Sequence, residues 1–338
     1  MESSRITVAD IARECGVSVM TVSRALRNGN VQGETRKRIL EAAERLGYHK
    51  RNKFGRPAGT TSAGRRYVEV IIGSAARKTF IFHAEILTAI EQELAGMEYD
   101  CVVRTCTNDY QQSIQLLKNL QNSDADATIV IGDFDVNQLI SLFDLAPDAL
   151  LLDNPGSPQL TIPYASFCFD NIEAARLATA HLIEHGRRRI ILLRGPHGHF
   201  FADEIEQGYR MTLRQHNLTV DEALILECDY TIDGAEQVVA TALKNGLQFD
   251  ALFANDEMAI GAIKALNAAK RQIPSDVAIC GCDDIPISAH LTPALTTVEL
   301  DYRKLAQLAV AHIFSENRRI FTECKVRLCP KLKIRASS

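Results

Sequence analysis

From Tyr67 onward the chain alternates short apolar runs with amphipathic segments, and this alternation restricts the possible folds more than any other feature. YVEVIIGS, YDCVVRTC, ATIVIG and ALLLDN read as strands, with helices at IFHAEILTAIEQELAG and at about 110–122 and 135–145. The scheme restarts at YASFCFD. It continues through AARLATAHLIEHG, RRIILLRG, EIEQGYRMTLRQH, ALILECD and GAEQVVATALKNG to DALFAN, DEMAIGAIKAL and DVAICGCDD. Strands that are apolar throughout are buried on both faces, as in parallel sheets covered by helices. About nine such strands before Asp284 suit two doubly wound sheets better than one. The expected body is therefore α/β, with two parallel-sheet lobes and a ligand site at the carboxyl ends of the strands, between the halves.

At 338 residues the chain exceeds one ordinary core. An apolar fraction of 46% and a charged fraction of 24% are those of a soluble globular protein. No apolar run reaches the roughly 18 residues of a membrane span. The opening MESSRITVADIAREC lacks the apolar segment of a signal peptide, so the expected location is the cytoplasm. The nine cysteines are scattered and odd in number, and Cys101, Cys168 and Cys280 sit in strand-like runs. They read as reduced thiols. Cys280 and Cys282 have no second pair to complete a zinc site, and His197 with His199 do not make one. No cofactor is expected.

The net charge of −4 hides a division. Residues 1–66 carry 14 Arg or Lys against 6 Asp or Glu, and the remainder is acidic. A basic head on an acidic body points to a polyanion that meets only the head. Within TVADIARECGVSVMTVSRALRNG, Thr7 can cap a first helix whose apolar face begins at Ile11 and Ala12. Gly16 supplies a tight turn, and Ser18 can cap a second helix. On that helix Val19, Met20, Ser23 and Arg24 share an exposed side, while Val22, Ala25 and Leu26 pack inward. A third helix from about Glu34 carries Ile39, Leu40, Ala43 and Leu46 as its inner stripe. Three short helices with a glycine turn make a helix-turn-helix, whose second helix enters the major groove. A generic three-helix bundle leaves the Arg-bearing polar face unexplained.

ITVADIARECGVSVMTVSRALRNG, followed by ETRKRILEAAERLGY, resembles the DNA-binding head of the LacI/GalR family of bacterial transcriptional regulators. The resemblance extends to HLIEHGRRRIILLRG, FANDEMAIGAIKAL, DVAICGCDD and PALTTVELD, which are similar to the family's effector-binding core of periplasmic-binding-protein type. It implies base reading by Val19, Met20 and Arg24, with the Arg24 fork on a guanine edge and the two apolar residues on thymine methyls. It assigns Thr7, Ser18, Thr21, Ser23 and Asn28 to phosphate oxygens. It also implies three chain crossings between the lobes, near 169, 299 and 326. The domains are then a head at 1–48, a linker at 49–66, a first lobe from 67–168 with 299–325, and a second from 169–298 with 326–338. The expected partners are a double-stranded operator, pseudo-palindromic because the protein is a homodimer, and a small-molecule effector.

Carried over residue by residue, the effector site falls on Asp153, Asn255 and Asp283 for hydroxyls and on Tyr230 for stacking, with Phe80 and Phe82 lining the other lobe. Ile205 stands where the family has an Arg three residues before a Gly-aromatic pair, here Gly208-Tyr209. The fork that holds hydroxyls or a carboxylate is absent, which points to a ligand with an apolar edge at Ile205, to a different binding set with His197 and His199 nearby, or to a regulator without effector response. The linker also departs. HKRNKFGRPAGTTSAGRR holds six Arg or Lys and no acid, and keeps only Asn52 of the family's hinge-helix pattern. Gly55, Pro57 and Gly59 oppose a helix. Gly55-Arg56-Pro57 resembles an AT-hook core, so Arg56 either enters an A·T minor groove or makes loose phosphate contacts. Phe54 is the one candidate wedge in this stretch.

No GxSxG elbow, Walker loop or GxGxxG is present. Asp283-Asp284 reads as a ligand acceptor beside a loop-capping carboxylate rather than a catalytic pair. A DNA-binding regulator is the reading, and the family resemblance implies a repressor. A solute-binding protein without DNA function and a sugar-modifying enzyme are the other classes.

Overall fold

The structure, a computed structural model, describes residues 8–26, 32–46, 66–73, 80–106, 116, 119–120, 123–315 and 323–338. Thr7, Asn28 and residues 49–65, Arg56 and Phe54 included, lie outside them, as do the side chains of Met20, Ser23, Arg24, Leu26 and Phe80. The chain divides into two compact units, Met1–Ala63 and Gly64–Ser338.

The first unit contains α1 (Val8–Cys15), α2 (Val19–Leu26) and α3 (Gly33–Arg45). Gly16 ends α1 at φ 64°, a conformation that costs an L-residue about 1–2 kcal/mol. The Val17 N–H donates to the Ala12 carbonyl at 3.1 Å and the Gly16 N–H to the Arg13 carbonyl at 3.4 Å. These two bonds satisfy carbonyls that the helix end would leave open. Ser18 Oγ accepts from the Thr21 N–H at 3.0 Å and so caps α2. Ile11, Val22, Ala25, Ile39, Ala42 and Ala43 form the core. Leu40 is not part of it and stays 44% exposed. The inner stripe runs 39, 42, 43 and 46, and position 40 lies 100° round the helix from 39. Arg38 Nη2 donates to the Cys15 carbonyl at 3.0 Å, fastening α3 to the end of α1.

The second unit contains two six-stranded sheets. Its elements are β1 (Tyr67–Ile72), α4 (Phe80–Ala95), β2 (Asp100–Thr105), β3 (Ala127–Ile131), α5 (Val136–Leu145), β4 (Leu150–Leu152) and β5 (Ala165–Phe169). There follow α6 (Asn171–Glu184), β6 (Ile190–Arg194), α7 (Phe200–Gln215), β7 (Ile225–Glu227), α8 (Ile232–Lys244), β8 (Ala251–Phe253) and α9 (Asp256–Ala268). The last elements are β9 (Ala278–Asp283), β10 (Thr296–Glu299), α10 (Tyr302–Phe314), β11 (Lys325–Leu328) and β12 (Lys331–Lys333). Leu116, Asn119 and Leu120 are the described helical part of the segment expected at 110–122.

One sheet has the order β11-β5-β4-β3-β1-β2 and is parallel throughout. The other has the order β12-β10-β9-β8-β6-β7, parallel except for β12. The chain passes from one sheet to the other after Phe169, after Glu299 and after Leu328. The third passage thus lies beyond the expected 326, because Lys325–Leu328 pairs in parallel with Ser166–Phe169. Carboxylates cap the helices that open the first two passages. Asp170 accepts from the Glu173 N–H at 3.0 Å and Asp301 from the Lys304 N–H at 2.9 Å. A continuous apolar cluster spans both sheets, from Val68 and Ile129 to Ile190 and Phe253. Among the described residues no helix is long and apolar enough to cross a membrane.

Candidate functional site

The candidate ligand site lies at the carboxyl ends of strands from both sheets, where a doubly wound fold leaves backbone groups and loop side chains facing a common crevice. Asp153 follows β4, Tyr230 follows β7, Asn255 follows β8 and Asp283 ends β9. All four line one cavity, together with Phe82 near the start of α4. Three of them hold left-handed backbone: φ is 49° at Asp153, 66° at Tyr230 and 126° at Asp283. Such conformations are uncommon in non-glycine residues and collect at functional sites, where tertiary packing holds them. Gly195 makes room for one of these side chains, since a Cβ there would lie 1.9 Å from the Tyr230 ring.

The cavity also takes in residues that the sequence reading did not assign to it: His83, Gly132, Asp133, Phe200 and Phe201. Asp133 lies two residues past the end of β3, so the rule that ligands sit at strand ends would have found it. His199, named earlier only as a neighbour, is part of the lining. His197 instead bonds Arg194. Ile205 does not line the cavity. It lies one turn beyond Phe201 and is buried in the apolar cluster with Phe82, Phe169 and Tyr209. The apolar surface offered to a ligand on this side is therefore that of Phe200 and Phe201.

Asp284 is not a loop cap. It pairs with Lys333 at 2.7 Å and Arg335 at 2.6 Å, holding the C-terminal segment. Asp256 takes the loop role, accepting from the Ile285 N–H at 3.1 Å, Ser288 Oγ at 2.6 Å and Thr297 Oγ1 at 2.5 Å. Asn255 Oδ1 caps α9 by accepting from the Met258 N–H at 3.0 Å.

Burial governs the electrostatics. It pushes the Asp153 carboxyl up to about 8, with Glu204 adding to the effect and Arg327 opposing it. The Asp283 carboxyl is also raised, first by burial and then by Asp256, Glu257 and Asp153. Burial holds His199 below its ordinary value against the pull of Asp133 and Asp203. The space enclosed is about 30 Å³. Among the described residues no cluster of His, Cys, Asp and Glu could hold a metal ion.

In the head, Val19 is 46% exposed while Val22 and Ala25 are buried, so one side of α2 is left for a partner. Ser18 Oγ and Thr21 Oγ1 are within 2.8 Å of each other at its start.

Comparison with known proteins places both parts. Residues 7–51 match the model of bacterial regulatory proteins of the lacI family, and residues 179–338 match the periplasmic binding protein-like domain. Catabolite control protein A of Priestia megaterium is 30% identical over 304 residues, 87% of each chain. The HTH-type transcriptional regulator GalS of Salmonella typhimurium is 29% identical, covering 90% of this chain and 88% of its own. A transcriptional regulator CelR–cellobiose complex superposes with a TM-score of 0.71 at 27% identity, over 99% of this chain and 100% of that one. On this similarity across nearly the full length of both chains, the protein belongs to the LacI family of bacterial regulatory proteins.

Proposed function

We propose that this chain is a transcriptional repressor that binds a pseudo-palindromic operator as a homodimer and is modulated by a small molecule held between its lobes. DNA-binding transcriptional regulation, rather than an enzymatic activity, follows from the family. The observation that carries the finer reading is the convergence of Asp153, Tyr230, Asn255 and Asp283 on one cavity at the strand ends. The relative solved with cellobiose supports a small-molecule effector.

The head residues take the following roles. Arg24 reads a guanine through its fork, and Val19 and Met20 pack on thymine methyls. Thr7, Ser18, Thr21, Ser23 and Asn28 position the head on phosphates, and Arg56 follows the backbone into or along the minor groove. In the cleft Asp153, Asn255 and Asp283 accept from or donate to the effector. Tyr230, Phe82 and Phe80 supply aromatic surface.

Selection of genomic fragments by the full-length protein, followed by titration of the recovered site at several salt concentrations, tests this reading. A two-fold symmetric site and a steep salt dependence are expected. Arg24→Ala is expected to cost about 1–3 kcal/mol per half-site and to relax preference at a single base pair. A uniform loss over all sequences would make Arg24 a phosphate contact.

A further inference from the structure

Among the described residues the cleft lining carries three carboxylates, Asp133, Asp153 and Asp283, and neither lysine nor arginine. Two arginines of the strands that lead to it, Arg194 and Arg327, are committed elsewhere. Arg194 pairs with Asp203 and Glu206, and also bonds the Gly195 carbonyl and His197. Arg327 spends its guanidinium on Glu204 and the Phe169 carbonyl. Asp153 is only 7% exposed, and among the described residues nothing donates a hydrogen bond to its carboxylate. The rest of the described lining is the rings of Phe82, Phe200, Phe201 and Tyr230 with His83, His199, Asn255 and Gly132.

We propose that the ligand of this cleft is a small organic cation, its protonated or quaternary nitrogen set against Asp153 and Asp283 within the aromatic wall. This rests on the reading of the cleft as the effector site. An anionic ligand would bring like charge to three carboxyls with no lysine or arginine among the described lining residues to receive it. A neutral polyol would bring no countercharge, so burial would keep Asp153 and Asp283 in their protonated form and their charge would go unused. Among the described residues no grouping could hold a metal ion, which disfavours an inorganic cation. An organic cation satisfies both features of the wall at once, since ring faces attract positive charge and the carboxylates neutralise it. The raised carboxyls of Asp153 and Asp283 agree with this, because a cation would restore their ionised form.

The test begins with a bacterial small-molecule extract separated by charge at pH 7 into cation-retained, unretained and anion-retained fractions. Each fraction is scored for its effect on the thermal unfolding of the full-length protein. Stabilisation by the cation-retained fraction is expected, because a ligand of the native state raises the unfolding temperature. The purified stabiliser should then bind Asp153→Asn at least tenfold more weakly. The ligand-free variant should unfold at the same temperature as the parent or higher, which separates lost binding from lost folding. Tyr230→Leu, which removes a ring but no charge, should also weaken binding. Stabilisation confined to the unretained or anion-retained fraction overturns the cation while leaving an effector-responsive regulator. A cation that binds both variants as tightly as the parent overturns its placement. No stabilisation by any fraction overturns both this inference and the effector reading.

Discussion

Asp153 combines a strained backbone, near-complete burial and a carboxylate that no described residue donates to, which is an unfavourable set for a residue whose task is only to fold. Its folded value of about 8 lies above the ordinary 3.8. The folded chain therefore holds a proton that the unfolded chain releases, and stability falls as pH rises between those values. The contribution is fully present below the unfolded value and is lost as pH passes through about 8. Asn mimics the protonated form at every pH. The ligand-free Asp153→Asn variant should match the parent near pH 4 and exceed it increasingly toward pH 8.5, by on the order of a few degrees in unfolding temperature. Scanning calorimetry at several pH values checks this. Equal stability at pH 8.5 would mean that a countercharge or water already compensates the carboxylate.

The helices of the head depend on short-range devices that the sequence displays openly. Gly16 at φ 64° and the Ser18 cap were both legible, because a left-handed turn and an open N-terminus accept few residue types. Gly16→Ala should raise the opening of α1 and α2 by about 1–2 kcal/mol, or roughly 5–30-fold in amide exchange. Amides of Gly64–Ser338 should be unaffected, and a uniform change across both units would contradict the local role. The buried strands were legible for a similar reason: a parallel strand covered on both faces must be apolar along its length. The third crossing was expected near 326, within β11 rather than after it, because KVRL is an edge strand with alternating exposure and nothing in its composition names its neighbour. Leu40 was placed inward on hydrophobicity alone, whereas the stripe selects Ala42. Of the cleft lining, Asp153, Tyr230, Asn255 and Asp283 were named at strand ends, while Asp133 past another strand end and Phe200 and Phe201 at the start of α7 were missed. A pair of phenylalanines looks like core until the third dimension shows which crevice it borders.

At the scale of the whole second unit, the arrangement of the lobes rests on more than the three passages of chain. Arg327 belongs to the first sheet and Glu204 to α7, which covers the second, and the two meet in a bidentate pair at 2.9 and 2.7 Å. Asn171 Nδ2 donates to the same carboxylate at 2.8 Å, where the chain leaves the first sheet. Arg327 also partly offsets the rise of the Asp153 carboxyl, so one guanidinium touches both the lobe junction and the electrostatics of the cleft. Its side chain is 42% exposed and that of Glu204 19%, so solvent screens the pair and its worth is about 1 kcal/mol or less. That is still enough to bias a motion between two lobe orientations. Arg327→Gln and Glu204→Gln should each weaken ligand binding roughly fivefold or less, with the effect shrinking in high salt. The double variant should be no weaker than the weaker single, since the pair acts as a unit. Additive losses in that double-mutant cycle would mean that the two residues contribute separately and that the pair does not hold the lobes.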